Sequence, residues 1–341
     1  MLNTSLLVTL NEWTNRTFVL PVAVFFPTNR CNSRCVSCDW WKSTGDDELT
    51  LPELDQLAGA LSDLGTRLVL FSGGEPLLRP EVFQIAALFR QRSITLHLHT
   101  SGVLLERFVP QVADTFSRVI VSLDAKDELE YRTIRGVSAL RSLERGVARL
   151  RAVKPDLPVS ARSTLHRLNY RELSNLVEHA RAMSLDGISF LPADTASGAF
   201  GRSRVTDASP LLLDRDQIVE FADVIERVIV ERADDFASGF IAESPEKLRR
   251  ISQHYAAVAG LAPFPPVACD APYMSVVIEA DGEVRPCFFH TSLGSVRRSS
   301  LKSIIERQLP AFRGILDVGQ NPICQRCVCS IKTSWRSAPW L

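Results

Sequence analysis

The 341-residue chain has no excess of charge: Lys and Arg together number 39, and Asp and Glu together number 39. That balance argues against a nucleic-acid or anionic-membrane partner, since both favour basic surfaces. Long apolar runs are also missing. The stretch Leu6 to Leu10 is broken by Thr9, follows no basic leader and is too short for a signal peptide. No window approaches the length of a membrane span. The expectation is a cytoplasmic protein without a membrane span. Lysine is scarce, 6 residues against 33 arginines, which reads as genome composition bias. No histidine precedes His97, and no cysteine lies between Cys38 and Cys269.

What is present is ordinary in bulk. Hydrophobic residues make up 45% and charged residues 23%, as in a globular protein large enough for a barrel plus a small second domain. There are 8 cysteines. In a reducing compartment they point to metal binding or reactive thiols before disulfides.

Residues 18–193 alternate between β-type and helix-type patterns. Strands are expected at 18–26, 67–72, 93–100, 118–124, 158–165 and 187–193. Helices are expected at 49–65, with Thr50 as N-cap and Gly65 as stop, and at about 81–92, 104–113 and 170–183, with a helical pair over about 128–153. Six βα repeats imply a parallel sheet with helices outside, an open partial barrel of α/β class. Its site belongs at the C-terminal ends of the strands. Residues 194–266 form a largely helical connection, and a Pro-rich linker follows at 262–272. A small α+β domain is expected at 267–341, opening on a hairpin with Asp281-Gly282 at its turn.

The loop after strand 1 reads "PTNRCNSRCVSCDWWK" and holds Cys31, Cys35 and Cys38, spaced C-x3-C-x2-C. Structural zinc wants four ligands, and no fourth is near. A [4Fe–4S] cluster also takes four, so three thiolates leave one iron open to bind a ligand as a Lewis acid. Strand 2 ends in "FSGGEPLL". Gly73 and Gly74 let the backbone approach a ligand closely, Glu75 can accept from an ammonium group, and Pro76 fixes the turn.

These two motifs, placed after strands 1 and 2 of a six-fold βα barrel, resemble the radical S-adenosylmethionine (SAM) superfamily. The resemblance implies a [4Fe–4S] cluster on Cys31, Cys35 and Cys38 whose open iron chelates SAM. It implies reductive cleavage of SAM to a 5′-deoxyadenosyl radical that takes a hydrogen atom from the substrate. It assigns SAM contacts to Gly73, Gly74, Glu75 and Pro76, and, by position, to Ser122 in "SLDA" and Arg162 on strand 5. Alternation puts Arg162 and Thr164 on one face, where a structural ion pair is the alternative for the arginine. On strand 3 alternation turns His97 and His99 toward the barrel interior, where His99 either contacts SAM or substrate or is a hydrogen-bonded interior histidine. The family often has an aromatic residue before the third cysteine, but Ser37 stands there. Trp40 and Trp41 follow, and one of them either covers the cluster or adenine or packs in the core.

Five cysteines remain. Cys269 and Cys287 bracket the hairpin as C-x12-G-x4-C, and "CQRCVC" holds Cys324, Cys327 and Cys329. This resembles the SPASM and twitch domains of radical SAM enzymes, with fewer cysteines than a full SPASM set. The resemblance implies one auxiliary [4Fe–4S] cluster on Cys269, Cys287, Cys324 and Cys327. Zinc is the alternative for four thiolates, and Cys329 is a spare thiol or an alternative ligand.

A closed second cluster points to electron transfer or structural support, and the resemblance implies a net oxidation or a new C–C or thioether bond in a peptide, with redox-neutral reactions such as epimerisation as the alternative. The substrate is a small molecule or a peptide. A short N-terminal stretch before Cys31 favours the small molecule, and a separate recognition protein would serve a peptide-crosslinking maturase. A reductant such as flavodoxin or ferredoxin is the expected partner. The contrasting reading is a non-catalytic iron–sulfur carrier or redox sensor. Asp194 and Asp207 follow strand 6 as positional candidates for the substrate's base, with a surface role as the alternative.

Overall fold

In the computed structural model, the structure describes residues 4–202 and 210–332. Asp207 lies outside the described residues. Strand formation follows the β-branched and aromatic runs. β1 is Val22–Thr28, β2 Leu68–Gly73, β3 Thr95–Thr100, β4 Arg118–Ser122, β5 Val159–Leu165 and β6 Gly187–Pro192. All six are parallel and lie side by side in chain order. This is the open partial barrel read from the sequence, with each boundary within four residues of its expected place.

Helices cover the outer face. α1 is Thr4–Thr14, an element absent from the sequence reading. α2 (Leu51–Asp63) starts on the expected Thr50, whose side chain and that of Glu53 cap each other's backbone N–H. α3 (Val82–Arg90), α4 (Val109–Thr115), α5 (Glu128–Arg135), α6 (Leu140–Val153) and α7 (Leu173–Ala182) follow in turn. Asp127 caps the start of α5, and Gly136 ends it at φ 69°, a left-handed conformation that favours glycine. The outward face of the sheet carries the main core, including the edge-to-face cluster of Phe25, Phe71, Phe89 and Phe116. The inward face is different. On β3, Leu96, Leu98 and Thr100 are buried, while His97 and His99 are half-buried and face inward.

The connection holds α8 (Arg215–Glu231), α9 (Ala233–Ala237) and α10 (Pro245–Val258). Tyr255 of α10 ties the ends of two strands together: its hydroxyl donates to the Leu165 carbonyl at 2.6 Å and accepts the Ala193 N–H at 3.0 Å. The expected hairpin is present as β7 (Ser275–Ile278) and β8 (Glu283–Arg285), with Gly282 at φ 88° in the turn. β7 pairs parallel to β1, so the hairpin and β9 (Gly294–Ser295) extend the barrel sheet to nine strands. The C-terminal cysteines are thereby held against the open side of the barrel. No helix among the described residues is long and apolar enough to cross a membrane.

Candidate active site

The cysteine loop leaves β1 at the C-terminal end of the sheet and is held from two sides. Arg34 N–H donates to the Arg135 carbonyl at 2.8 Å and Val36 N–H to the Ile134 carbonyl at 2.9 Å, so the last turn of α5 grips the backbone on either side of Cys35. On the other side, Gly74 N–H donates to the Thr28 carbonyl at 3.0 Å and Glu75 N–H to the Arg30 carbonyl at 2.8 Å. A Cβ at Gly74 would overlap the Arg30 carbonyl oxygen, so only glycine allows the two loops to meet.

Cys31, Cys35 and Cys38 line one cavity of about 270 Å³, together with Gly73, Gly74, Ser122, Asp124, Arg135 and Arg162. Burial pushes the Cys31 thiol up to about 11 and the Cys38 thiol up to about 12, and raises Cys35 as well. A bare thiolate is thus disfavoured here, and metal charge is what would stabilise it. The donor set fits iron–sulfur ligation: the three loop thiols share one cavity wall, and thiolate is the ligand such clusters take. A buried donor also points the same way, because Arg135 Nε in the cavity wall has no hydrogen-bond partner.

The SAM-contact candidates divide. Gly73, Gly74, Ser122, Arg162 and His99 line the cavity. Glu75 and Pro76 are buried behind it. The Glu75 carboxylate accepts from Leu77 N–H at 3.2 Å, Thr100 Oγ1 at 2.8 Å, and Ser101 N–H and Oγ at 2.7 Å each, so its oxygens are committed to the end of β3. Arg162 donates Nε to Ser189 Oγ at 3.2 Å, a neutral partner. Burial first, then Arg162 and His97, push His99 down to about 3, which keeps its ring neutral.

Of the two tryptophans, Trp40 lines the cavity and packs edge-on to Phe26 at 5.7 Å. Trp41 is turned outward, with Lys42 Nζ 5.1 Å from its ring centre. Two aromatic side chains in the cavity wall were missed by the sequence reading: Phe200, from the loop after β6, and Phe288, which follows Cys287. Their rings stack at 6.4 Å. Neither carries a local motif, since both come from loops whose path is set by tertiary contacts. Asp194 is buried at 7% exposure, where a surface carboxylate was the alternative reading. It accepts from Ala196 N–H and Ser197 N–H at 3.3 Å each and pairs with Arg202 at 3.5 Å, and Arg202 donates to the Ser37 carbonyl of the cysteine loop.

A second cavity of about 360 Å³ fills the barrel interior, and Cys269, Cys287, Cys324, Cys327 and Cys329 all line it. His290, which the sequence reading did not single out, is buried beside them with Nε2 3.3 Å from Cys324 Sγ. Among the described residues no three metal-ligating side chains converge on a single ion position. The two cavities share His99, Arg162, Leu191, Phe288 and Cys329, among others, in their walls, so they lie side by side.

The fold sets a parallel partial barrel with a three-thiol loop at its mouth beside an interior cavity lined by five thiols. The sequence profile of the radical SAM superfamily matches residues 25–180, and that of the SPASM iron–sulfur cluster-binding domain matches residues 269–328. The chain belongs to the radical SAM superfamily, with a C-terminal SPASM domain, and its cofactors are SAM, a [4Fe–4S] cluster and auxiliary iron–sulfur centres. It is similar to GTP 3′,8-cyclase of Nitrobacter winogradskyi, 28% identical over 80% of this chain and 77% of that protein. A GTP 3′,8-cyclase of Rhodopseudomonas palustris is 34% identical over 56% of this chain and 57% of its own. Among solved structures, Streptococcus suis SuiB bound to S-adenosylmethionine superposes with TM-score 0.65 at 14% identity, covering 95% of this chain and 76% of that one. The protein anSMEcpe with bound AdoMet superposes with TM-score 0.64 at 15% identity, covering 90% of this chain and 86% of that one. At such identities the two structures speak for the fold alone.

Proposed function

We propose that this enzyme takes a hydrogen atom from a small molecule held in the barrel interior, and that the net outcome is an oxidation. The observation that carries the reading is the shared wall of the two cavities. A substrate in the larger cavity touches the cysteines of the SPASM domain on one side and reaches His99 and Arg162, which also line the SAM cavity, on the other. Bound in these places, SAM and its reduced cluster supply a 5′-deoxyadenosyl radical, and an auxiliary centre supplies an acceptor for the substrate's second electron.

The protein's own groups do the rest. Gly73, Gly74 and Ser122 line the cavity as backbone and hydroxyl partners for the amino-acid end of SAM, and Arg162 offers a cation to a carboxylate. Val22, Val24, Leu68, Leu70 and Ile120 give the larger cavity an apolar wall that excludes water from a radical. An electron donor such as flavodoxin or ferredoxin is required from outside. Anaerobically reconstituted protein given SAM and reductant is expected to release 5′-deoxyadenosine, and Cys38→Ala to abolish it. Release that persists in Cys38→Ala would overturn the reading and leave a different origin for the nucleoside.

A second reading is a redox-neutral rearrangement of a nucleotide. It is favoured by the similarity to proteins named GTP 3′,8-cyclase over most of the chain, and by Arg162 and Lys247, two cations in the wall of the larger cavity. GTP that accelerates SAM cleavage and is itself converted without loss of electrons to an acceptor would select this reading over oxidation.

A further inference from the structure

Arg135 is the last residue of α5 and is 9% exposed. One end of its guanidinium is satisfied: NH1 donates to Asp124 Oδ2 at 2.6 Å. Asp124 is itself fixed, since its other oxygen accepts the Thr164 N–H at 2.8 Å and its carbonyl accepts from Asn169 at 2.9 Å. Arg135 Nε has no partner, although it is buried. A buried, charged donor with no acceptor is destabilising, and native proteins seldom leave one. The surroundings supply few candidates for the acceptor. Asp124 is used by NH1, the Tyr131 ring lies 5.9 Å from the guanidinium carbon, and Arg135 shares its cavity wall with Cys31, Cys35 and Cys38.

The backbone geometry makes the approach to Cys35 deliberate. The carbonyls of Ile134 and Arg135 accept the N–H groups of Val36 and Arg34, the residues that flank Cys35. Gly136 has no Cβ, and one there would lie 2.6 Å from the Arg34 carbonyl oxygen, so the end of α5 and the cysteine loop are in contact along their backbones. The side chain is therefore carried to the cysteine cavity by the same contact that shapes the loop.

We propose that Arg135 is a positioning residue for the SAM-binding cluster: its Nε–H donates to sulfur at the Cys35 corner and holds the reduction potential of that cluster up. This rests on the radical SAM assignment. The physical ground is general. A cluster held by thiolates is anionic and becomes more so on reduction, so a fixed cation and a hydrogen bond to sulfur favour the reduced state. Asp124 tempers the charge and fixes its direction. The residue thus links the end of β4, where Ser122 lines the SAM cavity, to the ease with which the cluster takes its electron.

The test is an EPR-monitored redox titration of the reconstituted full chain, wild type against Arg135→Gln and Arg135→Lys, with iron counted in each. The relevant signal is the one that changes when SAM is added, which separates this cluster from any auxiliary one. A wild type that binds no iron, or shows no SAM-sensitive signal, would remove the superfamily chemistry itself. With that signal present, both variants are expected to bind wild-type iron and to titrate at a more negative potential, Arg135→Gln further than Arg135→Lys. If Arg135→Gln fails to load, Arg135→Lys decides, because it keeps the charge and loses the Nε geometry. A wild-type midpoint in a loaded variant overturns the proposal. Loss of iron from both variants also overturns it, since that would make Arg135 a support of the loop and nothing more.

Discussion

Glu75 accepts the backbone N–H of Ser101 at 2.7 Å, a bond that joins the end of β2 to the end of β3 beneath the cysteine loop. The carboxylate is fully buried, and burial raises its pKa against the hydrogen bonds from Ser101 and Thr100 that lower it. Removing it strands the donors it serves, at a cost of roughly 1–3 kcal/mol for each buried group left unpaired. Glu75→Ala is expected to lower the urea midpoint of the apo protein and to weaken SAM binding with it. Glu75→Gln is expected to do the same to a smaller degree, since its amide NH₂ meets donors where an oxygen stood. Wild-type stability in both variants would show that the carboxylate does not organise this corner.

The two tryptophans separate cleanly. Trp40 forms part of the cavity wall and Trp41 does not. An aromatic contact is worth about 0.5–1.5 kcal/mol beyond its buried area, so Trp40→Ala is expected to weaken SAM binding by up to roughly tenfold. Trp41→Ala, whose ring lies under Lys42 at the surface, is expected to leave the affinity unchanged. Equilibrium binding of SAM to the reconstituted variants checks both, and equal effects of the two would sink the distinction.

The barrel was legible because its signals are local. Strand and helix periods, the Thr50 cap and the turn glycines each work within a few residues, and all six parallel strands came out where the patterns placed them. The inward aim of His97 and His99 also followed, from alternation alone. α1 was missed because its residues show only a weak apolar face. The site was legible where its chemistry needs a fixed spacing, as in Cys31, Cys35, Cys38 and Gly73-Gly74, and where strand alternation aims a side chain inward, as in His99 and Arg162. Phe200, Phe288 and Arg135 join the site through long-range packing, and no spacing rule connects them to Cys31, Cys35 and Cys38. Glu75 shows the opposite limit: its motif was visible, but its partners Thr100 and Ser101 sit on the next strand.

Cys329 lies one residue beyond the matched SPASM segment and lines both cavities. With Cys269, Cys287, Cys324 and Cys327 as the auxiliary ligands, Cys329→Ser keeps the wild-type iron content, while Cys287→Ser and Cys324→Ser lose the auxiliary share. Iron and acid-labile sulfide assays on anaerobically reconstituted protein read this directly. Loss of iron from Cys329→Ser at wild-type retention in Cys324→Ser would exchange their roles and make Cys329 a ligand.

Buried histidines give the apo protein a pH dependence with a definite sign. His166 is fully buried, and burial pushes it down to about 4 against the pull of Asp124. His254 is pushed down to about 4 by burial, against Asp194. Both are neutral in the folded chain at pH values where the unfolded chain, near the ordinary 6.5, has begun to bind a proton. The unfolded state then holds more protons, so stability falls as pH falls. The contribution is whole above the unfolded value, erodes by up to roughly 1.4 kcal/mol per pH unit for each histidine below it, and is exhausted near the folded value. Between about pH 6.5 and 5 most carboxylates remain ionised, while buried Glu75, whose pKa burial raises, acts with the opposite sign, so the comparison of variants isolates the ring. Urea unfolding of the apo protein is expected to show stability declining across that window, and His166→Gln to decline less steeply. A His166→Gln curve parallel to the wild type from pH 7 to 5 would mean that this ring does not stay neutral on folding.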